Sequence, residues 1–289
     1  MMLSLSAGPS DTSVAKGCHM THSWHTLPRP DGAAVRWRSE GNGDPLLLIP
    51  GFGGDGTCWG GLFGRALLRR GVAPVLYDQR GLGGELPGDG DPAMEEYASD
   101  AAAVLEALGA PCSVLGWSMG ATVALLLAVK RPELVRALVL CCGTADHPAL
   151  VRRFPERFRV LLDEEAPVET VSDEVLRLTV PPSWEKNPAM MRSLRRSSRS
   201  FFSRRERGIR AQQRALRRAP SLAASLGAVR IPSLVIAGER DRLIPPGEGE
   251  ALALGLPRSR LEILPGGHGL IYENPENVAK LVSDFLGGV

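Results

Sequence analysis

Residues 112–130 read CSVLGWSMGATVALLLAVK, and this stretch decides the fold. Its first four residues are a short, largely apolar run of the kind that forms a strand buried on both faces. From Ala121 the chain is apolar and helix-forming as far as Lys130. Between the two, Gly116-Trp117-Ser118-Met119-Gly120 must turn from strand to helix within a few residues. A serine on so sharp a turn carries its hydroxyl at the end of the sheet, and the flanking glycines are needed because a Cβ at either would meet adjoining backbone. The helix start also favours negative charge developing beside Ser118.

Similar apolar runs recur at residues 45–49, 73–77, 137–142, 233–237 and 261–264. Helix-length segments at 61–70, 92–108, 119–130, 247–254 and 275–286 separate them. Buried strand alternating with helix predicts an α/β fold with a doubly wound, mostly parallel sheet. Asp31-Gly32 sets a turn between extended pieces at 25–27 and 33–38, an antiparallel hairpin at the sheet edge. The last helix is expected to start with Asn274 as cap and Pro275 at the first helical position. Residues 146–222 break the alternation with helical stretches, the Pro181-Pro182 pair and many arginines, but no convincing core strand. They are expected to form an inserted helical cap, leaving residues 21–145 and 223–289 as the core. Residues 1–20, rich in Ser, Gly and Thr, are expected to be a disordered leader upstream of a start near Met20.

Composition narrows the function classes. With 289 residues, 44% hydrophobic and 23% charged, the chain can bury one large core plus an insertion. A net charge of +2 gives no overall pull toward nucleic acid or an acidic membrane. No apolar run nears the roughly 18 residues that span a bilayer, and the first residues lack the basic start and apolar stretch of a secretory signal, so cytoplasmic residence is expected. Cys18, Cys58, Cys112, Cys141 and Cys142 are an odd number and are read as reduced and structural. Cys18, His19, His22 and His25 cluster near the start, but no second ligand group lies at finger-like spacing; neither metal nor cofactor is expected.

Serine is a weak nucleophile at neutral pH and needs a base within hydrogen-bond reach, itself oriented by a third group. Of the five histidines only His268 follows a late strand, in the glycine-rich loop Pro265-Gly266-Gly267-His268-Gly269. Asp241, in the turn GERDRLIP at 238–245, is the candidate third group and gives the chain order Ser, Asp, His. Glu239, nearer its strand, and Asp146, after the strand that follows Ser118, stay open as alternatives. Acyl transfer also needs two N–H donors for the oxyanion, and the candidates are the amides of Phe52, in the loop 50–54, and Met119. As a phosphate cradle that loop lacks the Lys and Ser/Thr of a P-loop.

These motifs, GWSMG, GERDRLIP, GGHGLIYENP at 266–275 and Asp78-Gln79-Arg80-Gly81, together resemble the α/β-hydrolase superfamily. The likeness covers about residues 25–145 and 223–288. It implies a capped serine enzyme, esterase- or lactonase-like, with Ser118, Asp241 and His268 as catalytic residues. One departure stands out: many members carry His-Gly before the oxyanion residue, whereas this chain has Pro50-Gly51. Backbone donation survives, but a side chain that can orient the loop is lost.

Residues 148–220 hold 17 Lys/Arg against 9 Asp/Glu, a local basic excess. Such a face is either simply solvated or steers an anionic acyl substrate or an acidic carrier protein. Trp117, Phe201 and Phe202 are candidate pocket residues, with core packing the alternative for the two phenylalanines, and stacking aromatics are too few for nucleic acid. Three function classes follow: hydrolysis of an ester, lactone, thioester or related acyl bond of a small to medium substrate; a lyase or cyclase of secondary metabolism using the same residues; or a non-catalytic ligand-binding protein. An intact Ser118, Asp241 and His268 argues against the last.

Overall fold

The computed structural model describes residues 23–59, 61–83, 86–87 and 91–289; the expected leader, with Cys18, His19 and His22, lies outside the described residues. Eight strands make one sheet: β1 (His25–Pro28), β2 (Ala34–Ser39), β3 (Asp44–Ile49), β4 (Val72–Asp78), β5 (Cys112–Trp117), β6 (Val135–Cys141), β7 (Ser233–Gly238) and β8 (Ser259–Leu264). Their spatial order is β1-β2-β4-β3-β5-β6-β7-β8. The hairpin β1–β2 is antiparallel, β2 pairs antiparallel with β4, and β3 to β8 run parallel, as the alternation predicted.

Side-chain alternation along the strands assigns the two layers. Leu47 and Ile49 face a cluster with Val104 and Leu105 of α2 (Met94–Ala107), Leu125 of α3 (Met119–Lys130) and Leu252 of α10 (Pro246–Gly255). Leu46 and Leu48 face the opposite cluster, with Phe63 and Leu67 of α1 (Gly61–Leu68) and Val278 and Val282 of α12 (Pro275–Leu286). Helix α3 is buried from Met119 to Ala128. It can be apolar all round because α2 packs on it and Leu222 and Leu226 join the same cluster.

The sheet order reverses at β3: the chain winds outward to β4, then returns to place β5 on the other side of β3. The carboxyl ends of β3 and β5 thus part neighbouring strands at the switch point where open α/β sheets bind ligands. Ile49 pairs with Gly116, so the loop after β3 leaves beside the turn after β5.

Between β6 and β7 run α4 (His147–Arg153), α5 (Pro155–Phe158), α6 (Val168–Thr179), α7 (Pro182–Glu185), α8 (Pro188–Arg204) and α9 (Glu206–Arg217), with no strand among these described residues. Asn187 starts α8 by accepting the Met190 N–H at 3.1 Å, ahead of Pro188. Two small apolar clusters seat the segment on the rest of the molecule: Val171, Phe202 and Ile209 around Leu82, and Leu150, Phe158 and Leu161 around Leu243 and Ile244. The expected Asn274 cap is not made. Asn274 also ends the short helix α11 (Leu270–Glu273), its N–H bound to the Leu270 carbonyl, and its side chain makes no capping bond. No helix among the described residues is long and apolar enough to cross a membrane.

Candidate active site

Strand β5 runs two residues past the apolar run seen in the sequence, because the ladder to β6 continues through Trp117 opposite Cys141. The Ser118 N–H then donates to the Cys141 carbonyl at 2.9 Å, pinning the serine to the end of the sheet. Its backbone sits at φ 56°, ψ −121°, a conformation that costs a non-glycine residue about 1–3 kcal/mol and persists only where neighbours enforce it. The flanking glycines are enforced by space. A Cβ on Gly116 would lie 2.1 Å from the Gly120 carbonyl oxygen, and one on Gly120 would lie 2.1 Å from that of Ile49.

The hydroxyl of Ser118 lies 2.8 Å from His268 Nε2, and His268 Nδ1 lies 2.7 Å from Asp241 Oδ2. The other carboxylate oxygen of Asp241 accepts the Leu243 and Ile244 N–H groups at 2.8 and 2.9 Å. A carboxylate held by two amides cannot swing away from the imidazole, and that imidazole is buried. Asp146 is engaged elsewhere, accepting the Ala149 N–H at the start of α4, while Glu239 is exposed beside Arg240. Two further bonds fix the histidine loop: Trp117 Nε1–H donates to the His268 carbonyl at 2.9 Å, and the Gly267 N–H to Glu273 Oε1 at 2.8 Å.

Two buried glutamines hold the loop after β3. Gln79 Nε2 donates to the Pro50 carbonyl at 3.3 Å, Gln212 Nε2 donates to Gln79 Oε1 at 2.5 Å, and the Gly53 N–H donates to Gln212 Oε1 at 2.8 Å. Both glutamines have no solvent exposure. Gln79 lies in the Asp78–Gly81 turn, whose Arg80 makes two bonds to Asp100 at 2.6 and 2.7 Å. Gln212 comes from α9, so the helical segment directly holds the loop that carries Phe52. Nothing in the local sequence marks Gln212; its signal is burial on a helix otherwise rich in arginine.

Phe52, Ser118 and Met119 together line a small recess of about 40 Å³, which also takes in Thr122, Thr144 and His147. His147 is the first residue of α4 and is buried. Burial pushes its pKa from 6.5 down to about 4, against the opposing pull of Asp146 and the Leu216 carbonyl, so it is neutral near pH 7. Trp117, Phe201 and Phe202 line a separate, open groove of about 670 Å³ that shares Phe52 with the recess. Phe202 is also core: it is 2% exposed and meets Phe52 edge-on. Phe201 carries the Arg205 guanidinium 3.9 Å above its ring. Several arginines of the basic segment are paired, Arg195 and Arg199 with Asp173, and Arg214 and Arg218 with Asp91.

Cys142, Asp241 and His268 bring three ligand-type atoms within 4.8 Å of one another. They do not suit a metal: Asp241 and His268 are already bonded to each other, and contact with Cys141 together with burial drives the Cys142 thiol pKa well up, holding it protonated. Among the described residues Cys58, Cys141 and Cys142 are free thiols.

The alpha/beta hydrolase family model matches residues 46–281. A putative carbamate hydrolase RutD of Variovorax paradoxus is 32% identical over 251 residues, covering 86% of this chain and 93% of its own. A pimeloyl-[acyl-carrier protein] methyl ester esterase of Methylococcus capsulatus is 32% identical, covering 86% and 96%. The solved structure of a hydrolase from Pseudomonas aeruginosa PA01 superposes with a TM-score of 0.77 at 26% identity, over 92% of this chain and 99% of that one. The chain belongs to the alpha/beta hydrolase family and is an enzyme of that hydrolase class.

Proposed function

We propose that the enzyme is a serine hydrolase that cleaves an ester, lactone, thioester or related acyl bond of a small to medium substrate, with Ser118 as nucleophile, His268 as base and Asp241 as orienter. The observation that carries the reading is the unbroken chain from Ser118 Oγ through His268 to Asp241, at 2.8 and 2.7 Å. As Ser118 Oγ attacks the carbonyl carbon, its proton passes to His268 Nε2. Asp241 keeps the Nδ1–H tautomer and stabilises the imidazolium that forms. The carbonyl oxygen becomes an oxyanion, received by the Phe52 and Met119 amides. Collapse expels the leaving group, which takes the proton from Nε2, and a water activated by the same nitrogen then frees Ser118.

In this reading residues 146–222 act as a cap: α6 and α8 supply one wall of the open groove, and Gln212 holds the loop bearing Phe52. Pairing of several cap arginines reduces the charge left to steer an anionic or carrier-bound acyl group, so apolar contacts carry more of the substrate recognition. Fluorophosphonate labelling with peptide mapping, followed by a panel of esters and lactones, tests the proposal. The expected result is a single adduct on Ser118 and turnover within the panel; an enzyme that leaves Ser118 unlabelled overturns it.

A further inference from the structure

The open groove of about 670 Å³ has the size of a site for a drug-sized ligand. Its wall is largely apolar, with Leu62 and Phe63 of α1, Leu176 of α6, and Leu194 and Phe201 of α8 among the residues that form it. Leu62 is 59% exposed, so an apolar group laid against it would take that surface out of water. The groove adjoins the chemistry. Phe52, Trp117, Val175 and Thr179 belong both to its wall and to that of a narrow crevice of about 30 Å³, which Ser118 and His268 also line.

Among the described residues only two charged side chains line the groove, Asp55 and Arg65. Asp55 is engaged: its Oδ1 accepts the Thr57 N–H at 2.9 Å and the Thr57 hydroxyl at 2.5 Å, and its Oδ2 lies 3.9 Å from Arg205. Arg65 is exposed on α1, three residues from Leu62 and so on the same helix face. Its guanidinium makes no hydrogen bond or ion pair with any described residue. Neither Arg65 nor Leu62 belongs to the crevice wall, which places this cation in the part of the groove away from Ser118. We propose that the substrate is an ester with a bulky apolar body seated in the groove and an anionic group at the end of that body remote from the scissile carbonyl, met by Arg65. This rests on Ser118, His268 and Asp241 acting as proposed above.

The two contacts differ in size. Each methylene-sized group that the groove takes from water strengthens binding by about fourfold, so the apolar body supplies most of the affinity. An exposed guanidinium gains only about threefold to fivefold from a carboxylate, and salt screens that gain. Arg65 therefore acts as a selector between bodies of equal bulk rather than as the anchor.

The test uses methyl esters of biphenylylalkanoic acids with one to four methylenes between carbonyl and ring, each as the unsubstituted, 4′-carboxylate and 4′-carboxamide form. Acetates of the matching biphenylylalkanols put the body on the alcohol side, and methyl acetate has no body. At low ionic strength kcat/KM should exceed that of methyl acetate by about 100-fold or more in at least one of the two orientations. There the best spacer should favour carboxylate over carboxamide by about threefold to fivefold. Arg65→Gln should bring that ratio close to unity, Arg65→Lys should retain it in part, and about 0.5 M salt should abolish it. Methyl acetate cleaved as fast as every biphenyl ester, the result if a second copy of the chain fills the groove, overturns the apolar seat. A carboxylate preference absent at every spacer, or unchanged in Arg65→Gln, overturns the anionic end. Calorimetric binding of the same esters to Ser118→Ala separates this proposal from the chemistry it rests on, since the same preferences should appear in Kd. If they do, while the unaltered enzyme takes no fluorophosphonate and cleaves no ester, the serine-hydrolase reading falls and the ligand class of the groove stands.

Discussion

Acidification should destabilise this protein partly through one residue, His147, and the size of the effect follows from its surroundings. In an unfolded chain a histidine titrates near 6.5. Folded, His147 lies between Phe158 and the walls of the recess, and burial lowers its pKa to about 4. Because the folded value is depressed, the unfolded state takes up the proton first. The stability this residue contributes is therefore fully present above about pH 6.5 and is lost as pH falls toward 4. At 1.36 kcal/mol per pKa unit, going from pH 7.0 to 4.5 removes about 2 kcal/mol. Urea unfolding of the unaltered enzyme and of His147→Gln at both pH values isolates the effect, since groups such as Asp78, whose pKa burial raises, titrate in both proteins. The unaltered enzyme should lose about 2 kcal/mol more than the variant over that interval. Equal losses would refute a neutral, buried imidazole at His147.

Three other outcomes follow from the same geometry. Asp241→Asn removes the carboxylate that fixes the His268 tautomer and should lower kcat by about three to four orders of magnitude, whereas Asp146→Asn, whose amide oxygen can still accept the Ala149 N–H, should stay within a few-fold; steady-state kinetics on one ester compare them. Gln212→Leu leaves the Gly53 N–H and Gln79 Oε1 without partners, and should reduce kcat by about 10- to 100-fold with near-native circular dichroism. Neutralising Arg195, Arg196, Arg204 and Arg205 should slow capture of an anionic ester at low salt and have little effect above about 0.1 M, in stopped-flow measurements; capture that ignores salt in both proteins removes the steering role.

The sheet was legible because its central strands, β3 to β7, are buried on both faces and so read as short apolar runs, and because Ser118 lies between glycines whose space is taken by the Gly120 and Ile49 carbonyls. His268 and Asp241 were legible from their places after the last two strands, since a parallel sheet gathers those loops at one end. Asp241 stood ahead of Asp146 in the sequence with the alternative still open, because both carboxylates follow strands; the fold shows one capping α4 and the other facing the imidazole. Gln212 and His147 were invisible for a related reason. Each reaches the site from the helical segment, across 133 residues to Gln79 in one case, and no local pattern announces a contact made by chain return. The Asn274 cap failed because one residue had to end α11 and begin α12.

The central claim is that Ser118 attacks the substrate carbonyl, and the kinetics of Ser118→Ala measure it most directly. With the best ester of the panel, and with folding checked by circular dichroism, turnover should fall by several orders of magnitude to the residue left by binding and the oxyanion donors. Near-native turnover by Ser118→Ala would contradict the account.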